Sequence, residues 1–298
     1  MDEKNILYAE VNKNNKNEIN YKEKTTYNLF IMLSTHFLEE ATRYEMGIDE
    51  VGRGPMFGRV YASAVILPLD KECDTEKKDD DSNIDNDRFK YEWMKDSKKF
   101  TSSKKLGEVA KYIMDNAVAW GVAYKDETII DEMNILKATQ CAMKDAIYSA
   151  LVQFREKYPL TKTDFSSLYA TPHLLVDGNS FKPIVNPDTK NTLMDYSTVI
   201  GGDNKYCSIA AASILAKWHR DQYIFQMCEE WPMLNERYQL VSNKGYGTKA
   251  HMEAINKYGI SQWHRRTFGI CARVSVNVIT KEENIAETET GADNDNEK

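Results

Sequence analysis

The chain has little cysteine: Cys73, Cys141, Cys207, Cys228 and Cys271 are scattered along 298 residues with no Cys-x-x-Cys pair. That scatter supports neither a disulfide framework nor a zinc site, and it suits thiols of a reducing, cytoplasmic compartment. Long apolar runs are also missing. The run Tyr27 to Leu33 is far short of the roughly 20 residues a membrane span needs, and the polar lead before it is unlike a signal peptide. Export and membrane insertion are therefore not expected. Positive charge is short overall, with a formal net charge of −7, which argues against a nucleic-acid partner until the charge is located along the chain.

Its distribution reverses that impression. Residues 70 to 87 hold nine acids against three Lys/Arg (−6), and residues 281 to 298 hold seven against two (−5), so the remainder carries −7 + 11 = +4. Within it, residues 204 to 273 hold ten Lys/Arg against five acids, a balance suited to phosphates or to a merely solvated face. No repeat period or clean linker divides residues 44 to 273, and 42% hydrophobic content supports a sizeable core. One α/β domain is expected there, with a mixed central sheet flanked by helices and a small C-terminal helical subdomain at about 221–273. Residues 1–43 read as a polar lead followed by a helix over 27–43. An acidic insert at about 70–93 and a disordered acidic tail at 274–298 complete the plan.

The segment Gly47-Ile-Asp-Glu-Val-Gly-Arg-Gly54 sets two carboxylates beside a glycine-flanked arginine. Met46 and Ile48 read as a strand ending at the acids, and residues 60–67 read as its hairpin partner. Successive strand side chains face opposite ways, so Asp49 and Glu50 can serve one cation only if the chain bends near Val51-Gly52 or the longer glutamate curls back. Taken alone, such a pair is more often a solvated strand end. Helical spacing marks 102–116 and 134–154, residues 208–231 read as a long helix without an internal Gly or Pro, and strands are expected at 117–124 and 173–178. Asp177 then ends a buried strand, and Asp203 follows Gly201-Gly202. Converging, these four carboxylates would form a two-metal site for phosphodiester hydrolysis. Their all-oxygen chemistry favours Mg²⁺ or Mn²⁺ over zinc.

The chain resembles a type 2 ribonuclease H of the bacterial ribonuclease HII type. The resemblance covers about residues 44–271 and rests on Gly47-Ile-Asp-Glu-Val-Gly-Arg-Gly-Pro55, Asp96-Ser-Lys-Lys99, Asn134-Ile-Leu-Lys-Ala-Thr139, Val176-Asp-Gly178, Gly202-Asp203, Ser208 to Lys217 with Arg220-Asp221, Lys244-Gly-Tyr-Gly-Thr-Lys-Ala-His251 and His264-Arg-Arg-Thr-Phe-Gly269. It implies a ribonuclease H-like fold and a monomeric endonuclease that cleaves RNA in RNA–DNA hybrids and incises 5′ of single ribonucleotides in duplex DNA. Asp49, Glu50, Asp177 and Asp203 resemble the family's metal acids. Gly52, Arg53 and Gly54 resemble its loop for the ribose 2′-hydroxyl, and Tyr246 resembles the tyrosine that stacks on the next sugar. Lys98, Lys217 and Arg220 become candidates for phosphate contact.

Blander roles are expected for other motif residues. His251 and His264 are read as structural, Asp96-Ser97 as a helix cap and Cys207 as a packed thiol. The chain departs from the family pattern at Phe57-Gly58-Arg59, and the insert, lead and tail are additional to it. Two competing readings are a type 3 ribonuclease H and a catalytically silent hybrid-binding protein. Both are disfavoured by the Glu-Val-Gly-Arg-Gly sequence and the full set of acids.

Overall fold

A computed structural model describes residues 32–38, 43–69, 88–159 and 171–282. Among these residues five strands form one sheet: β1 (Glu45–Val51), β2 (Val60–Ile66), β3 (Ala119–Lys125), β4 (His173–Asp177) and β5 (Tyr196–Val199), in the order β3-β2-β1-β4-β5. The β1–β2 and β2–β3 pairs are antiparallel, while β4 and β5 add in parallel on the other side of β1. The expected hairpin and parallel additions are both present.

Helices cover both faces. Around the sheet run α1 (Ser103–Asn116), α2 (Glu127–Met133), α3 (Ile135–Lys157) and α4 (Cys207–Glu230), followed by α5 (Pro232–Tyr238), α6 (Leu240–Asn243) and α7 (Lys249–Tyr258). Ser102 and Asn134 cap α1 and α3 by accepting from Lys105 N and Lys137 N. The pleat decides which side chains meet which helix. Met46, Ile48, Leu174 and Val176 pack with Ala142, Ala146 and Ile147 of α3, while Leu175 packs with Ile209 of α4 on the opposite face. The first turns of α4 carry Ser208, Ala210, Ala211, Ala212 and Ser213, all buried, and their small side chains let the helix axis approach the sheet closely.

The second half of α4 shares a core with the C-terminal helices. Tyr223, Ile224, Met233, Leu234, Tyr238 and Ile255 pack together with Met56 and Phe57 from the loop after β1. The loop is thereby anchored to the helical region. Among the described residues no helix is long and apolar enough to cross a membrane.

Three boundaries differ from expectation. Of the helix expected over 27–43, residues 32–38 and 43 are described and are not helical; Ser34 is bridged to Tyr206 instead. Residues 88–93, placed with the acidic insert, bury Phe89 and Tyr91 against Leu106 and Val109 of α1. Residues 274–282, placed with the tail, bring Val276 into a bridge with Ile260 and bury Ile279, whose N–H donates to Gln262. Apolar burial outweighs the acidic composition that set those boundaries. The rest of the lead, insert and tail lies outside the described residues.

Candidate active site

The parallel pairing of β1 and β4 puts Ile48 beside Val176, so the next residue on each strand is an acid, at the strands' carboxyl ends. Asp49 and Asp177 share the α4 face, and Glu50 starts from the α3 face. β5 leads through Gly201 into a 3-10 turn, Gly202–Asn204, that presents Asp203. Gly202 N–H donates to Asp177 Oδ1 at 2.6 Å, tying that turn to the end of β4. Strand β1 stays regular through Val51 and turns at Gly52, whose φ is +88°. A side chain would be strained there.

Asp49 is 5% exposed, and its carboxyl is held well above the usual range by burial, then by the Glu50 and Asp177 charges; the Ser213 hydroxyl bonded to it works in the other direction. Ser213 Oγ in turn lies 2.9 Å from Ser97 Oγ. Glu50 is also raised, by burial first and by Asp177, against the lowering effect of Arg53, whose Nη1 donates to Glu50 Oε1 at 3.1 Å. Asp203, likewise 5% exposed, is raised by burial, Asp96 and Asp177. Asp177 is the common neighbour that acts on the other three acids.

This donor set suits a hard divalent cation: it offers only carboxylate oxygens, and burial favours the protonated forms of Asp49, Glu50 and Asp203. Among the described residues, no group of three or more His, Cys, Asp or Glu side chains is gathered closely enough to hold a metal ion. Their oxygens face other donors. Asp49 accepts from Glu50 N, Glu50 from Arg53, Asp177 from Gly202 N, and Asp203 from Asn204 Nδ2.

Beside the acids, the loop of Gly52, Arg53 and Gly54 meets the turn bearing Tyr246. A Cβ on Gly54 would lie 3.6 Å from Tyr246 Cε1, and the tyrosine is 44% exposed. Met56 N–H donates to Gly245 O, which fixes the two segments side by side.

The three basic candidates separate. Lys98 is open, its side chain 83% exposed with Nζ 3.9 Å from Asp203 Oδ2. Lys217 is half-buried and paired with Asp221 at 2.9 Å. Arg220 is 1% exposed, so it is neither a solvated charge nor an open contact. Its Nη2 donates to Lys244 O at 2.6 Å, its guanidinium lies 5.6 Å from the Tyr246 ring, and its Nε has no hydrogen-bond partner among the described residues.

Sequence reasoning gave Arg265 no role. It is fully buried, and its guanidinium donates to four backbone carbonyls of the loop, those of Gly52, Arg53, Pro55 and Gly58, at 2.6 to 3.0 Å. Its place in the His264-Arg-Arg motif was the available signal. His251 and His264 are buried with their Nε2 atoms 3.1 Å apart, the structural position expected for them.

A family model described as Ribonuclease HII matches residues 46–275. The chain belongs to the ribonuclease HII family. It is 41% identical over 229 residues to the ribonuclease HII of Parabacteroides distasonis, covering 77% of this chain and 92% of that one. The Bacteroides thetaiotaomicron ribonuclease HII is 38% identical over 234 residues, covering 78% and 94%. As a family member the chain is an endoribonuclease acting on RNA–DNA hybrids, which removes both the type 3 and the silent-binder alternatives. The crystal structure of ribonuclease H2 from Pyrococcus horikoshii OT3 superposes with a TM-score of 0.50 at 18% identity, over 77% of this chain and 96% of that one. That likeness establishes a shared ribonuclease H-like fold.

Proposed function

We propose that the protein incises duplex DNA on the 5′ side of an embedded ribonucleotide, as well as the RNA strand of hybrids, leaving a 3′-hydroxyl and a 5′-phosphate. The observation that carries this reading is adjacency. Asp49, Glu50 and Asp177 act on one another at the ends of β1 and β4, and a glycine loop exposed at Arg53 and Gly54 follows Glu50, packed beside Tyr246.

Asp49, Glu50, Asp177 and Asp203 would hold two divalent ions, Mg²⁺ or Mn²⁺. Bound there, such ions would supply an activated water and charge stabilisation at the leaving oxygen. The chain's own residues supply selection. Gly52, Arg53 and Gly54 offer backbone groups to the ribose 2′-hydroxyl, the group that separates RNA from DNA locally. The exposed Tyr246 ring, against Gly54, suits stacking on the sugar of the next deoxynucleotide. Lys98 suits a phosphate, while Lys217 and Arg220, paired or buried, act from behind the surface. The working state is a monomer in the cytoplasm, consistent with the scattered thiols.

The deciding assay supplies Mg²⁺ or Mn²⁺ with a DNA duplex holding one ribonucleotide, alongside a long RNA–DNA hybrid. A single cut 5′ of the ribonucleotide with a 3′-hydroxyl end is expected. No cut there, or equal cutting by Asp49→Asn, overturns the reading.

A further inference from the structure

We infer that Arg265 is a positioning residue that sets discrimination between ribose and deoxyribose, by turning the backbone amides of Arg53 and Gly54 toward the substrate side of the loop. The inference rests on the proposed recognition of the 2′-hydroxyl by that loop.

The argument is one of peptide geometry. In a trans peptide the carbonyl of one residue and the N–H of the next lie in one plane and point in opposite directions; no peptide among the described residues is cis. Arg265 Nη2 takes Gly52 O at 2.6 Å and Nη1 takes Arg53 O at 3.0 Å. Both carbonyls therefore point into the protein, and the N–H groups of Arg53 and Gly54 point out of it. Gly52 is buried while Arg53 and Gly54 are exposed, and neither of those two amides has a hydrogen-bond partner among the described residues. Two adjacent outward amides form a concavity for an oxygen acceptor.

The same guanidinium fixes the far side of the loop through Pro55 O and Gly58 O, and Arg265 N–H donates to Met56 O at 2.8 Å. Four of its five N–H donors are spent on this loop. Among the described residues no carboxylate hydrogen-bonds to its guanidinium; the carbonyl dipoles of the loop, with Glu127 and Asp131 acting from farther off, offset its charge, which sits behind the outward amides. A lysine, with three donors about a point, cannot span four carbonyls in a planar fork.

The test measures affinity in metal-free buffer, so that nothing is cut, for two duplexes identical except for one 2′-hydroxyl. Wild type prefers the ribonucleotide duplex. Arg265→Lys is expected to lose about tenfold of that preference, the scale of one ordinary hydrogen bond, while its affinity for the all-DNA duplex stays unchanged. The neighbouring exposed Arg266→Gln keeps the preference. A folded Arg265→Lys protein with wild-type preference overturns the inference. Hydrogen exchange on the wild-type protein stands independent of whether that variant folds: the Arg53 and Gly54 amides exchange fast in the free protein and are protected only by the ribonucleotide duplex. Slow exchange in the free protein, or equal protection by the all-DNA duplex, also overturns it. If wild type has no preference and makes no cut at a single ribonucleotide, the recognition reading fails instead.

Discussion

Gly47 lies directly against the first turn of α4: a Cβ on it would stand 2.1 Å from the backbone carbon of Ser208 and 2.2 Å from its oxygen. The contact is backbone against backbone, so no rotamer change relieves it. It sets the depth at which α4 seats on β1, two residues before Asp49. Gly47→Ala should cost about 3 kcal/mol or more through overpacking, read as a lowered urea midpoint. A stability within 0.5 kcal/mol of wild type, the range of ordinary surface changes, would show that α4 can shift freely.

Asp177 acts on Asp49, Glu50 and Asp203 alike. Neutralising it removes repulsion from the protein without metal, and an asparagine Oδ1 can still accept from Gly202 N. Asp177→Asn is expected to raise the metal-free melting temperature by a few degrees while lowering incision about 100-fold or more. Thermal melts in chelator, paired with a cleavage time course, check both signs. A lowered melting temperature would mean that the ionised carboxylate is a net structural asset.

The histidine pair links the Tyr246 turn to the core. Ser261 N–H donates to His264 Nδ1, so the His264 proton sits on Nε2 and points at His251 Nε2; His251 then donates from Nδ1 to Tyr246 O at 2.9 Å. Both rings are neutral, since a proton on either would set donor against donor. Burial, with His251 beside it, pushes His264 down to about 3 from its ordinary 6.5. The unfolded chain therefore binds a proton that the folded chain refuses. The stabilisation is full above about pH 6.5 and is lost as pH falls toward 3. The stability gap between wild type and His264→Asn should narrow by about 1 kcal/mol between pH 7.5 and 5.5; a constant or widening gap contradicts this account.

Lys98 and Arg220 should separate in salt titrations. An open lysine that meets a phosphate contributes about one unit to the slope of log affinity against log salt. Lys98→Ala is expected to lower that slope by about one. Arg220→Lys should leave the slope nearly unchanged and instead weaken the preference for a ribonucleotide, because Arg220 braces Lys244 O and lies under Gly52. Equal slope changes from the two would place Arg220 at the phosphate.

Much of the fold and the candidate site was legible from local pattern. A strand ending at two acids marked β1, its hairpin partner marked β2 and a short buried run marked β4; helical spacing marked α1 and α3, a long run without Gly or Pro marked α4, and acids near glycines at segment ends marked Asp49, Glu50, Asp177 and Asp203 as candidates. Composition misplaced the inner edges of the insert and the tail, because Phe89, Tyr91 and Ile279 are few among acids and their burial depends on partners distant in sequence. The sequence alone determined the element types, the acids and the family motifs, since each is written in neighbouring residues. Only the tertiary structure decided that Asp177 is the acid common to the others, that Arg220 is buried, and that Arg265 holds the loop from behind. Those facts rest on contacts between segments 24 to 213 residues apart, such as Arg220 to Lys244 O and Arg265 to Gly52 O, and a buried arginine reads in sequence like any exposed one.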